Sequence, residues 1–165
     1  MARTASITAN KFVELLNATG TGIGTAVATL AADSGIILAL IPPAHITNQN
    51  VSVAIAERSS AVKYPAIHVY SNRVRNLLKE KFRIFSGKIQ TVAEVRVSQD
   101  RIEGLEDQLR LYADAVTQVL DGNRGSWGEG MFFTGGYEVT FDPVQHGGRN
   151  LLQIAKVTFE VDLSS

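Results

Sequence analysis

The segment KIQTVAEVRVS, residues 88–98, followed by RIEGLEDQLRLYADAVTQVLDG, residues 101–122, decides the fold. In the first part Ile89, Thr91, Ala93, Val95 and Val97 recur at every second residue, with Gln90, Glu94, Arg96 and Ser98 between them. A period of two puts the two sets on opposite faces of a β-strand. In the second part Ile102, Leu105, Leu109, Tyr112, Ala113, Val116, Val119 and Leu120 recur at spacings of three and four, one apolar stripe along a helix. Ser98 or Asp100 is placed to cap its first turn and Gly122 to end it.

Working outward, Tyr137, Val139 and Phe141 alternate with Glu138, Thr140 and Asp142. Leu151, Ala155, Val157, Phe159, Val161 and Leu163 alternate with Ile154, Lys156, Thr158, Glu160 and Asp162. The turn residues from Asp142-Pro143 to Gly147-Gly148 predict that these two strands form an antiparallel hairpin. Upstream, Tyr64-Pro65 opens a strand with Ile67 and Val69 on one face and Ala66, His68 and Tyr70 on the other; a proline need not donate at a strand's first residue. In the N-terminal third, Ile7, Phe12, Val13, Leu15 and Leu16 predict a helix capped by Ser6 or Thr8 and stopping near Gly20. Thr21 to Ala32 predicts a second, Ala-rich helix. Ile36 to Ile41 is a buried strand or an apolar helix end, which periodicity does not separate. Val51, Val53 and Ile55 predict a short strand. The expected architecture is α+β: an antiparallel sheet of about four strands with one long helix packed across it, plus N-terminal helices. Residues 1–165 form a single domain in this reading, with 64–165 as its strand–strand–helix–strand–strand core and 1–63 as a helical or irregular part.

The composition narrows the function. With 45% apolar and 19% charged residues, 165 residues suffice to bury a real core. Sixteen basic and sixteen acidic residues cancel, so no global field draws the chain to nucleic acid or an anionic membrane. The absence of cysteine excludes disulfides, thiolate metal sites and thiol nucleophiles. The start, MARTASITANKF, lacks the apolar centre of a secretory signal. Ile23 to Ile41 is the one membrane-like stretch, but Asp33 lies within it, at a cost of roughly 2.5–3.5 kcal/mol for a central aspartate.

Thr19-Gly20-Thr21-Gly22-Ile23-Gly24 resembles the glycine-rich TGxxxGIG turn of short-chain dehydrogenases, in which a helix N-terminus receives a pyrophosphate. Its spacing is two residues short, the preceding segment reads as helix, and none of the four tyrosines has a lysine four residues on. A close-packed helix junction is the favoured reading, and a small nucleotide-binding domain or enzyme built on this segment is the alternative from another class. His45, His68 and His146 stand far apart without a second ligand at helical spacing, and no Gly-x-Ser-x-Gly elbow occurs. No catalytic residue, metal or cofactor is expected.

The surfaces are more distinctive. Asn72 to Arg83 carries Arg73, Arg75, Lys79, Lys81 and Arg83 against Glu80 alone. It reads as a solvated face or as a partner surface. The start of the long helix is acidic, with Asp100, Glu103, Glu106 and Asp107. One protomer could therefore offer positive charge to its neighbour's helix, a head-to-tail contact that closes into a ring when the rotation permits. Gly122 to Gly136 holds six glycines together with Trp127, Met131, Phe132 and Phe133. Its aromatics suit an interface that orders on assembly or a fold back onto the core.

Tyr64-Pro65-Ala66-Ile67-His68-Val69, Phe85-Ser86-Gly87 leading into Val95-Arg96-Val97, and the helix end Ala115-Val116-Thr117-Gln118-Val119-Leu120 resemble the strand–helix unit of tail terminator and neck-completion proteins of tailed bacteriophages. Gly136-Tyr137-Glu138-Val139 and Gln153-Ile154-Ala155-Lys156-Val157-Thr158-Phe159 resemble their closing hairpin. The resemblance spans Tyr64 to Ser165 and rests on apolar patterns; Ala18 to Gly35 departs from it. It implies a non-enzymatic ring, typically a hexamer, that caps the tail tube, meets the neck or head-completion protein on its other face and lets DNA pass through its lumen. The implied location is the virion, after assembly in the host cytoplasm. Another neck, baseplate or minor tail component is the alternative within the same class.

Overall fold

A computed structural model describes residues 4–58 and 63–165; residues 1–3 and 59–62 of the expected domain lie outside the described residues. Helix α1 spans Thr4–Leu16 and α2 spans Ile23–Ser34. A 3-10 turn at Pro43–His45 leads to strand β1, Ile46–Thr47, and the short helix α3, Val53–Arg58, follows. The long strands β2, Ala66–Asn76, and β3, Ser86–Gln99, come next, then helix α4, Leu105–Asp121. Strands β4, Gly125–Gly128, β5, Met131–Phe133, β6, Tyr137–Phe141, β7, Gln145–Gly147, and β8, Asn150–Ser164, complete the chain.

The sheet differs from the expected one. It has eight strands among the described residues, curls, and is mixed: β1 runs parallel to β2 and the other pairings are antiparallel. Four helices accompany it. The expected antiparallel sheet of about four strands with one long helix is therefore too small. The added strands β1, β4, β5 and β7 have two to four residues each, too few to show an alternation. Strand β8 recruits them. Its 15 residues pair with β3 along one edge, while the other edge is shared by β7 at Leu151, β6 at Val157 and β5 at Leu163. A parallel β1–β2 pair needs a crossover, and the chain through α3 supplies it.

One face of the sheet carries the core. Ile89, Ala93, Val95 and Val97 of β3 and Ala155, Val157, Phe159, Val161 and Leu163 of β8 are buried there, as the alternation predicts. Helices α1 and α4 pack on this face and α2 packs against α4. From α4, Leu105, Leu109, Tyr112, Val116 and Leu120 are buried, whereas Ile102 is exposed. The helix begins later than Ser98 or Asp100 would have it. Strand β3 runs on to Gln99, Ser98 Oγ donates to the Leu151 carbonyl, and Gln99 Nε2 donates to the carbonyls of Arg101 and Glu103. Those bonds hold residues 100–104 as a loop, and Gly104, in the left-handed region, precedes the helix.

The N-terminal third also departs from expectation in particulars. Helix α1 ends at Leu16, before Gly20. Thr8, offered as a cap, is instead buried within it and bonds Thr91 Oγ1 of β3 at 2.9 Å. Residues 36–41 are neither strand nor helix but irregular chain, anchored to α4 where the Tyr112 hydroxyl donates to the Ala39 carbonyl at 2.6 Å. Val53 and Ile55, expected on a strand, lie on α3, because six residues are too few to distinguish the two periods. Among the described residues, no helix is long and apolar enough to cross a membrane.

Candidate assembly surfaces

The basic segment is the end of β2 and the loop that joins it to β3. The ladder with β3 is bulged between Ser71 and Arg73, which bends β2 locally, and Arg73 to Asn76 stay paired with β3. From Asn72 to Ile84 every residue is exposed. Asn76 organises the loop: its Oδ1 accepts from the amides of Leu78 and Ser86, and its Nδ2 donates to the Ile84 carbonyl. The result is a hairpin arm whose outer surface carries Val74, Leu77, Leu78, Phe82 and Ile84, with the Phe82 side chain wholly in solvent. Leu78 and Phe82 both stand at positive φ, 46° and 66°, uncommon for bulky residues. Arg83 pairs with Glu80 at 3.3 Å. Among the described residues, Arg73, Arg75, Lys79 and Lys81 make no ion pair.

The acidic residues Glu103, Glu106 and Asp107 occupy the other end of the molecule. They are exposed around the start of α4, beside Gln99 at the far end of β3 from the arm. Glu106 and Asp107 sit in the helix's first turn, where negative charge is favourable. Arg110 pairs with Glu106 at 3.5 Å and Arg101 with Asp100 at 3.6 Å. The structure thus separates the basic and acidic groups within one chain and does not bring them together.

The glycine-rich segment divides its aromatics. Trp127 and Phe133 join Phe12 and Phe159 in a buried cluster, with ring centroids 4.9–6.1 Å apart. The Trp127 indole N–H donates to the Asn123 carbonyl at 2.7 Å. Period two on β5 then leaves Phe132 outward, half exposed, in a groove with Leu77 at the base of the arm. Of the three aromatic residues expected at an interface, Phe132 alone remains available for one.

The outer face of the sheet, to which alternation assigns Glu94 and Arg96, holds a polar cluster. His68, Glu94 and Arg96 are all buried there. Arg96 makes bonds from Nε and Nη2 to Glu94 Oε1, and Nη2 also reaches the Val51 carbonyl. Tyr70 donates to Glu94 Oε2 at 2.8 Å, and His68 Nδ1 bonds Thr47 Oγ1 at 3.1 Å. Burial and the bond to Glu94 push the Tyr70 hydroxyl well above its ordinary range. Burial, aided by the Arg96 charge, pushes His68 below its ordinary value of 6.5, with Glu94 opposing. The cover is the chain from Val51 into α3, where Glu57 accepts a bond from the Tyr64 hydroxyl. No local signal marks a strand face as covered by a distant segment.

That depression sets a pH dependence. The unfolded chain protonates His68 more readily than the folded one, so stability is full above pH 6.5 and falls as the pH drops towards the folded value. Urea unfolding from pH 7.5 to 5 is expected to show this fall. His68→Gln is expected to remove its share, and an unchanged slope in that variant would exclude His68 as the cause.

The remaining motifs take structural roles. At Gly22 an added Cβ would lie 2.4 Å from the carbonyl oxygens of both Leu16 and Ala18. That glycine permits the tight α1–α2 junction, and the element before it is a helix rather than a strand. His45 Nδ1 donates to the Pro65 carbonyl at 2.9 Å, and His146 lies exposed on β7. No protein-family model matches this chain, and no curated protein shows significant similarity to it.

Proposed function

We propose that the protein is a structural virion component, a tail terminator whose copies form a ring that caps the tail tube and joins it to the neck. One observation carries the reading: the exposed arm of residues 72–84, which sets five large apolar side chains and unpaired cations in water. Isolated exposed apolar residues are ordinary, but a cluster on one hairpin marks an interaction surface. Its charge suits a protein partner that is acidic. The resemblance over Tyr64 to Ser165 supplies the kind of assembly, with six copies, the tube protein on one face, the neck protein on the other, and DNA passing without sequence recognition. Such a ring stops tube growth because its outer face offers no further identical surface.

Sedimentation of the purified chain, alone and with isolated tail tubes, tests this. The expected species is six times the 17.8 kDa of one chain, or a monomer that becomes a ring on tube ends. The double variant Leu78→Asp, Phe82→Asp is expected to keep its thermal midpoint within a few degrees and to lose assembly. A chain that stays monomeric and leaves tube ends bare would overturn the proposal.

A further inference from the structure

We infer that the arm of one copy docks on the segment 36–41 and the acidic start of α4 of the next copy. This rests on the ring reading and adds the surface that receives the arm. The receiving segment is unusual: Ile37 is 93% exposed and Leu40 is 63% exposed, on irregular chain with no strand partner among the described residues. Tyr112 anchors the segment through the Ala39 carbonyl, so it is a fixed apolar ledge rather than a free tail. Ile102, 59% exposed, adds apolar surface in the loop before α4.

The occupant is identified by charge and by position. Asp33 lies at the end of α2 just before the ledge, and Glu103 and Asp107 lie at the start of α4; none of them makes an ion pair among the described residues. The arm offers the reverse, unpaired cations interleaved with Leu78 and Phe82. Each surface combines exposed apolar side chains with charge, and the two charges are of opposite sign. Such an arrangement favours a specific orientation and disfavours like contacts, arm to arm or ledge to ledge.

Position excludes docking within one chain. From the ledge the chain runs to β1, which pairs with β2 at Ile67, while the tip of the arm, residues 77–84, lies beyond Asn76 at the other end of β2. Nine strand residues at about 3.3 Å each put about 30 Å between Ile67 and Asn76. The acidic start of α4 likewise follows Gln99, at the end of β3 opposite the arm, so a second copy of this chain supplies the partner. Because the contact is between different patches, it is head-to-tail and generates a closed ring or a filament, as the rotation dictates.

The chain's lack of cysteine makes the test direct. Lys81→Cys and Ala39→Cys place thiols beside Phe82 and Leu40 while leaving those apolar side chains in place. Mixed under mild oxidation, the two single variants are expected to give a disulfide-linked pair at least tenfold faster than a mixture of Lys81→Cys with Ser52→Cys, a thiol on the α3 side. Sedimentation of the same mixtures separates the two claims. Oligomers whose residue 81 crosslinks no faster to residue 39 than to residue 52 would overturn the docking site and leave the ring standing. Absence of both oligomer and crosslink, with and without tubes, would overturn both.

Discussion

Trp127→Ala is expected to cost about 3–5 kcal/mol of folding stability, the range for deleting a large aromatic from a close-packed core. The indole meets Phe12, Phe133 and Phe159 at once. It thereby ties α1, the β4–β5 hairpin and β8 together. Truncation leaves a cavity at the point where these three elements meet, and it strands the Asn123 carbonyl that the indole N–H satisfies. Phe133→Ala, at a fully buried position, belongs to the same range. Phe132→Ala, one residue away but half exposed, is expected to change stability by no more than about 0.5 kcal/mol. Urea unfolding of the three variants checks this order. Since whole domains are stable by only about 5–15 kcal/mol, the first two should shift the midpoint visibly. Equal costs for Phe132 and Phe133 would show that the hairpin is not seated as described.

That contrast indicates where the sequence was legible. Strands β3 and β8 and helix α4 are 14, 15 and 17 residues long, so their apolar periods repeat often enough to fix both element and face. The glycine-rich segment defeats the same reasoning. Its two strands are short, Gly125, Gly128 and Gly130 stand at positive φ, and nothing local tells Trp127 from Phe132. Residues 36–41 fail for another reason. Apolar content there suggests burial, yet burial depends on whether a neighbouring element arrives, and none covers Ile37. The charged surfaces are the reverse case. Arg73 to Arg83 and Glu103 to Asp107 were visible as composition, but their placement at opposite ends of the molecule follows from the course of β2 and β3.

Arg96→Ala is expected to destabilise the fold by about 3–5 kcal/mol, because it leaves Glu94 buried without its counter-charge. Arg96 is only 2% exposed, and two of its nitrogens already serve Glu94 Oε1. Losing the guanidinium also frees the Val51 carbonyl, so the cover that leads into α3 should open with it. Hydrogen exchange is accordingly expected to rise between Val51 and Arg58 before it rises in β8. Such a cost measures the harm of an orphaned charge rather than the worth of the pair. Replacing the whole group by apolar residues distinguishes the two: the triple variant Tyr70→Phe, Glu94→Leu, Arg96→Met removes the hydroxyl and both charges together. It is expected to recover most of the loss, since buried ion pairs roughly break even against well-packed hydrophobic substitutes. If Arg96→Ala costs less than about 1 kcal/mol, water reaches Glu94 and the cluster is not sealed. If the triple variant is no better than Arg96→Ala, the polar group itself holds α3 over the sheet, through the Val51 carbonyl that no methionine can satisfy.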